Sequence, residues 1–96
     1  MEFFMIEGNL VEHPNMNDEL MKEHKAYTKK AMDAGMILFS GLKKGMDGVV
    51  FVMKAKSRQQ IEDYLAQEPF FQAGIQTYRV VSFDAHYKNP KAAEWF

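Results

Sequence analysis

The sequence contains no cysteine, which excludes disulfide bridges, thiolate metal ligands and a cysteine nucleophile. It also lacks an excess of charge of one sign, because 12 lysines and arginines oppose 13 aspartates and glutamates. Proteins that bind nucleic acids or anionic membranes are normally basic, so we expect neither partner. The longest apolar run, Val49–Met53, is far shorter than the ~18 residues that a membrane helix needs. We therefore expect a cytoplasmic protein.

The composition that remains is typical of one folded domain. A chain of 96 residues holds a single hydrophobic core, and a hydrophobic content of 47% is too high for a disordered protein. Eight methionines and eight phenylalanines make this core adaptable, because thioether side chains fill irregular spaces and bend around ligands. We therefore expect a compact domain with a small molecule as a possible ligand.

Hydrophobic periodicity and capping signals predict six secondary-structure elements. The predicted strands cover residues 2–10, 36–40, 49–55 and 75–83, and the predicted helices run from Asn15 or Asn17 to Ala34 and from Ser57 to Pro69. The stretch Gly41–Gly48 is predicted to be a loop. This order indicates an α+β protein with the ferredoxin-like βαββαβ plait, in which two helices cover one face of an antiparallel sheet.

Two of the predicted strands are apolar on both faces, which is unusual for an antiparallel sheet. Consecutive residues are hydrophobic in Met36–Phe39 and again in Val49–Met53. The two helices of one subunit can cover only one face of the sheet. We therefore expect a homodimer in which the other sheet face packs against a partner subunit.

The histidines and glycines form no recognisable metal or phosphate site. His13, His24 and His86 are far apart, none belongs to a zinc-binding motif, and His13 is expected in a solvated loop. The segment Gly41–Gly48 lacks the residue order of a phosphate-binding loop and leads into a strand instead of a helix. We expect no metal ion and no cofactor.

RNA binding has to be weighed because RNA-recognition motifs share the predicted topology. Gly48, Phe51 and Val52 match part of the third-strand signature of those motifs. However, Val49 and Lys54 replace two of its aromatic residues, so bases have no rings on which to stack. We expect no nucleic-acid partner.

His24 and Glu68 are the strongest candidates for chemistry. Each lies on the apolar stripe of its predicted helix, which faces the sheet. A buried carboxylate needs a cation or proton donor, and a buried imidazole needs partners for its nitrogens, so a His24–Glu68 pair satisfies both. A histidine held in this way can act as a general base or acid. The alternative is an ordinary core histidine with Glu68 pointing to solvent.

Three segments of the sequence resemble the YCII-related family. They are Glu23–Tyr27 with its helix histidine, Gly35–Gly41 at a strand end, and Glu68–Gly74 before the last strand. The likeness covers residues 1–87 as one domain and leaves residues 88–96 as a C-terminal tail.

The resemblance implies a dimeric α+β barrel of ferredoxin-like subunits, related to muconolactone isomerases, with a histidine and a carboxylate in the active site. These residues are His24 and Glu68 here, although Glu68 stands where the family has an aspartate and Leu42 where it has a proline. One branch of the family is a dehydrochlorinase acting on chlorinated hydroxyhydroquinones, and most members have no known substrate.

We therefore expect a small cofactor-independent enzyme that carries out proton transfer, elimination or isomerisation on a small organic substrate. His24 and Glu68 are its expected catalytic residues. The residues expected to contact the substrate lie near the predicted pocket and are Tyr27, Ser40, Gly41 and Phe70. The alternative is a non-catalytic dimeric module that binds a small molecule in the same pocket.

The tail ends in two large aromatic residues, Trp95 and Phe96, which follow the polar segment Lys88–Lys91. Such rings are costly to leave exposed. We expect them to dock on their own subunit or on its partner, and we expect a short helix after Pro90.

Overall fold

The computed structural model describes residues 1–11 and 16–96, which form four strands and three helices. In chain order these are β1 (Glu2–Leu10), α1 (Asp18–Asp33), β2 (Ile37–Leu42), β3 (Gly48–Ala55), α2 (Arg58–Ala66), α3 (Pro69–Gln72) and β4 (Gln76–Phe83). His13 and the possible helix cap Asn15 lie outside the described residues.

The four strands form one sheet in the order β2-β3-β1-β4, and every neighbouring pair is antiparallel. Two interleaved units of strand, helix and strand produce this order, which is that of the ferredoxin-like plait. The predicted α+β fold class is therefore confirmed. The short helix α3 is an addition to the predicted order.

Alternation along the strands separates the sheet into an inner and an outer face. On the inner face, Phe4 and Ile6 of β1 pair with Met53 and Phe51 of β3, and all four side chains are buried. The helices cover this face and add three further residues to the same core cluster, namely Ala31, Ile61 and Leu65. Burying each large apolar side chain contributes about 1.5–3 kcal/mol, so this layer is the main source of stability.

The outer face also carries apolar side chains, as the sequence predicts. Met5 of β1 pairs with Val52 on one side and Val81 on the other, and Phe39 of β2 also pairs with Val52. In the single subunit, Met5, Phe39 and Val81 are 44%, 51% and 42% exposed. The outer face is therefore an apolar surface that one subunit leaves partly uncovered.

Strand β2 is longer than predicted because it includes Gly41 and Leu42. Both residues pair with β3, so the strand continues as far as its partner extends. The predicted loop Gly41–Gly48 is therefore wrong at both ends, since β3 already begins at the last residue of that loop. The shorter connection turns at Met46, which adopts a φ of 58°.

The C-terminal tail packs on its own subunit. The rings of Trp95 and Phe96 lie 5.9 Å and 5.1 Å from the ring of Phe3 at one end of the outer face. The indole N–H of Trp95 donates to the carbonyl of Gly35 at 2.9 Å, and the Lys54 ammonium lies 4.5 Å from the indole ring centre. The predicted docking is confirmed, but consecutive turns stand in place of the predicted short helix.

No helix in the described ranges 1–11 and 16–96 is long and apolar enough to cross a lipid bilayer. The cytoplasmic location stays a prediction.

Candidate active site

His24 is carried by the 16-residue helix α1. This helix begins after Asn17, whose side chain accepts a hydrogen bond from the backbone N–H of Leu20 at 2.8 Å. Asp18 and Glu19 in the first turn complement the positive end of the helix dipole. The side chain of His24 is 18% exposed, so it lies at the boundary between the core and the surface.

The sequence predicts Glu68 on the second helix, but in the structure Glu68 caps the short helix α3 and lies outside α2. Helix α2 ends at Ala66, and Pro69 begins α3, where proline is favoured because the first helical N–H has no intrahelical partner. Oε2 of Glu68 accepts hydrogen bonds from the backbone N–H groups of Phe70 at 2.8 Å and Phe71 at 3.1 Å. Glu68 is only 2% exposed, so these donors compensate for the burial of its carboxylate.

The structure brings the two candidate residues into contact, through Nδ1 of His24 and Oε1 of Glu68. An ionised carboxylate only accepts hydrogen bonds, so the neutral imidazole carries its proton on Nδ1 and its lone pair on Nε2. No described residue forms a hydrogen bond to Nε2. Every buried side-chain nitrogen and oxygen in the described chain has a hydrogen-bond partner, so Nε2, which has none, is not buried. The alternative in which Glu68 points to solvent is wrong.

The ring of Phe70 fixes the plane of the imidazole. The two rings are stacked with centroids 3.8 Å apart and planes only 2° from parallel. Phe70 itself is held by its backbone N–H, which donates to Glu68. The same carboxylate thus orients His24 directly and positions the ring on which His24 rests.

A cavity of about 650 Å³ lies between α1 and the inner face of the sheet, and His24 forms part of its wall. This volume is in the range of small-molecule sites. Most of the wall is apolar, and four of its side chains are methionines. The apolar residues on the wall are Leu10, Met16, Met21, Met32, Ile37, Leu42, Met46, Val49, Phe51 and Phe70. The other charged residues on the described wall are Lys25 and Lys29, so its ionic character is cationic.

Of the four residues expected to contact a substrate, two line the cavity. Ser40 and Phe70 are on its wall, and their contact with a substrate stays a prediction. The structure does not bring Gly41 to the cavity, because neighbouring residues of a strand point to opposite faces. Tyr27 is also absent from the described wall. Its hydroxyl donates to the carbonyl of Tyr64 at 2.6 Å, which ties α1 to α2.

Two polar wall residues, Gln76 and Tyr78, belong to no motif in the sequence. They are alternate residues of β4, so both side chains point into the cavity region of the inner face. Gln76 is 1% exposed, and its Nε2 donates to the hydroxyl of Tyr78 at 2.7 Å. Burial and the carboxylate of Glu68 raise the pKa of Tyr78. The signal in the sequence is a glutamine and a tyrosine at alternate positions of a predicted strand, which puts both on one face of the sheet.

The chemistry available at this site is binding and proton transfer. The cavity suits a small, largely apolar molecule, and Nε2 of His24 can exchange a proton with it. Within the described part of the chain, no three or more histidine, aspartate or glutamate side chains are grouped to hold a metal ion.

Solved structures with a similar fold include enzymes. The 5-chloro-2-hydroxyhydroquinone dehydrochlorinase from Burkholderia phenoliruptrix AC1100, in complex with 2,5-dihydroxybenzoquinone, has a TM-score of 0.63 and 19% identity, covering 93% of this chain and 96% of that one. A muconolactone isomerase has a TM-score of 0.77 and 16% identity, covering 92% and 94%. At these identities the likeness shows the fold alone. Among curated protein sequences, none matches the chain.

The amino-acid sequence itself matches a known protein family. The model of the YCII-related domain matches residues 1–84, which contain the whole sheet, the three helices, His24 and Glu68. Only the last residues of the chain, including the docked tail, lie outside the match. The chain therefore belongs to the YCII-related domain family.

Proposed function

We propose that the protein is a small cofactor-independent enzyme that moves a proton on an organic substrate held in the cavity. The observation that carries this proposal is the contact between Nδ1 of His24 and the buried Glu68, in a histidine that lines the cavity and whose Nε2 has no described partner. A proton acceptor oriented by a second side chain is the usual arrangement for general acid–base catalysis.

In the proposed reaction, Nε2 of His24 accepts a proton from a C–H bond, and the electron pair stays on the substrate as a conjugated anion. The carboxylate of Glu68 stabilises the imidazolium, since the Nδ1–H bond then joins opposite charges. In isomerisation the imidazolium returns the proton to a different carbon. In elimination the electron pair expels the leaving group as an anion, and the imidazolium gives its proton to that anion or to water. Both outcomes balance without a redox step.

The similar folds favour a lyase or isomerase among the possible reaction types. One of the similar structures is a dehydrochlorinase and another is an isomerase. Removal of hydrogen chloride and isomerisation both require transfer of a proton, and proton transfer is the step that we propose for His24. A fold hosts many functions, so the support for the proposal comes from the site and the substrate is identified by experiment.

The test is proton exchange at carbon. The protein is incubated in D₂O with a panel of small cyclic enones, lactones and hydroxylated aromatics, and loss of C–H signals is followed by ¹H NMR. We expect exchange or turnover with the wild type, and none with His24→Ala. His86→Ala is the matched control, because His86 is exposed outside the cavity, and it should behave as the wild type.

The non-catalytic binding module is the second candidate, because the apolar cavity suits a ligand whether or not His24 reacts. If panel compounds bind but the wild type exchanges none of their protons, or if His24→Ala keeps the exchange rate, the enzyme proposal is wrong. The binding module then takes its place.

We also propose that two subunits pair through the outer face. The support is the exposure of Met5, Phe39 and Val81 on that face, and the dimeric barrel that the family resemblance implies. A stable pair should bury above ~1,200 Å² in total. Light scattering at micromolar concentration should give a dimer mass for the wild type and a monomer mass for Val81→Glu. Gln59→Glu, which adds the same charge on α2, should stay dimeric, and a monomeric wild type would refute the pairing.

A further inference from the structure

The wall of the cavity opposite α1 carries a hydroxyl group that has no role in the His24–Glu68 dyad. Tyr78 lies on β4, and the hydroxyl of its half-buried side chain accepts a hydrogen bond from Gln76. Gln76 is almost fully buried and has no other described partner for its side-chain amide N–H groups. A buried glutamine whose one strong contact is to a neighbouring hydroxyl fixes the position of that hydroxyl.

The hydrogen bond from Gln76 occupies a lone pair of the Tyr78 oxygen, so the Tyr78 proton is left to donate elsewhere. The carboxylate of Glu68 acts on Tyr78 through its charge and as a hydrogen-bond acceptor, and both effects raise the pKa of Tyr78, but the two side chains form no hydrogen bond of normal length. That carboxylate already serves two backbone N–H groups and His24. The Tyr78 proton is therefore available to a ligand in the cavity, and burial keeps it in place because burial raises the pKa of Tyr78.

Gly8 makes room for this pair. A Cβ atom at Gly8 would lie 3.1 Å from Cδ of Gln76, 3.1 Å from Cε1 of Tyr78 and 2.9 Å from Cγ2 of Val49. Any larger residue at this position would therefore require the glutamine and the tyrosine to shift. The strand next to β4 thus has a glycine where the two polar side chains need space.

We propose that the Tyr78 hydroxyl is a hydrogen-bond donor to an oxygen atom of the ligand, and that Gln76 is the positioning residue that aims it. The ligand class that fits is a flat, mostly apolar molecule with a carbonyl or phenolic oxygen conjugated to the C–H bond that loses its proton. When His24 takes that proton, the electron pair moves onto the oxygen, and Tyr78 stabilises the resulting anion while keeping its own proton. The cationic Lys25 and Lys29 on the wall also favour an anionic oxygen.

This proposal rests on the proposed function for the role of His24, but its test needs no turnover. The probes are 4-nitrophenol, whose ionised form is coloured, and 4-nitrotoluene, which has a methyl group in place of the hydroxyl. Their affinities are measured for the wild type, for Tyr78→Phe and for Tyr87→Phe, a matched control whose residue is 93% exposed.

We expect the wild type to bind 4-nitrophenol as its coloured anion. Tyr78→Phe should weaken that binding by about 10- to 100-fold, the range for a hydrogen bond to a charged group. The affinity of 4-nitrotoluene should change less than about threefold, and Tyr87→Phe should bind both probes as the wild type does. Gln76→Leu should lower the fraction of bound 4-nitrophenol in the coloured form, which a purely structural role would leave unchanged.

Three results would overturn the proposal. One is failure of the wild type to bind 4-nitrophenol at millimolar concentration, and another is equal loss of both probes in Tyr78→Phe. The third is a selective loss of 4-nitrophenol binding that appears in Tyr64→Phe and not in Tyr78→Phe, since Tyr64 also lines the cavity. If Tyr78→Phe does not fold, 3-fluorotyrosine at position 78 decides the question, because its ¹⁹F signal must shift when 4-nitrophenol binds and not when 4-nitrotoluene binds.

The two proposals fail in distinguishable ways. Proton exchange that persists in His24→Ala refutes the dyad and leaves the probe affinities unaffected. Equal probe binding by the wild type and Tyr78→Phe refutes the oxygen site and leaves the His24 exchange result intact.

Discussion

Replacement of Glu68 by alanine and by glutamine separates its structural role from its chemical one. In the native protein, Oε2 accepts two backbone N–H groups at the start of α3, and Oε1 contacts His24. Alanine removes all three contacts. Glutamine keeps an oxygen for the backbone groups and places its amide NH₂ group next to Nδ1 of His24.

The expected losses of stability follow from these contacts. Loss of a helix cap costs about 0.5–2 kcal/mol, and buried N–H groups left without an acceptor cost about 1–3 kcal/mol more. We therefore expect Glu68→Ala to lower the free energy of unfolding by about 2–4 kcal/mol, and Glu68→Gln by less than about 1.5 kcal/mol. At about 4–8 °C per kcal/mol for a domain of this size, the alanine variant should melt about 8–32 °C below the wild type.

Thermal and urea unfolding, followed by circular dichroism, measure these differences. Despite its stability, Glu68→Gln should lose most proton-transfer activity, because an amide N–H beside Nδ1 forces the imidazole proton onto Nε2 and removes the base. Equal stability of the two variants would show that the carboxylate does not cap α3. Full activity in Glu68→Gln would refute its role in holding the tautomer.

Three further predictions test other parts of the structure. Glu68→Asp restores the family's residue and should keep measurable proton exchange, whereas complete loss in a folded variant would show that the extra methylene is required. Burial raises the pKa values of Tyr64 and Tyr78 above the ordinary value of about 10, so these two residues should not change the free energy of unfolding below about pH 10 and should lower it above that pH. Tyr64→Phe should make this fall shallower in urea titrations, and an unchanged slope would contradict the burial of that hydroxyl. Trp95→Ala should lower the free energy of unfolding by about 1–2 kcal/mol through lost contact with Phe3, while the control Glu94→Ala should change it by under about 0.5 kcal/mol, and equal effects would mean that the tail is frayed.

The fold was predictable because its local signals agree with one another. The hydrophobic periodicity, the Asn17 cap and the Ser57 cap each indicate an element that the structure contains. The loop at Gly41 was predicted wrongly, because a glycine among lysines and further glycines is typical of a turn. Pairing with β3 overrides that local preference, and such long-range pairing leaves no local trace in the sequence.

The site was predictable in its principal residues but not in its construction. The need of a buried carboxylate for a partner predicted that Glu68 would meet His24. Pro69 was interpreted as the end of one helix, whereas it begins another, because proline suits both positions. The contact of Gln76 with Tyr78 depends on the space left by Gly8 on the adjacent strand, and that juxtaposition exists only after the sheet forms.

The most direct test of the account is the tautomer of His24, because it requires no knowledge of the substrate. Nitrogen-15 NMR of protein labelled in its histidine rings, assigned with His24→Ala, is recorded at a pH where the imidazole is neutral. We predict that the proton sits on Nδ1, facing Glu68, and that Nε2 is the unprotonated nitrogen of this cavity-lining histidine. A neutral ring with its proton on Nε2 would contradict the account, because His24 would then have no base to offer a substrate.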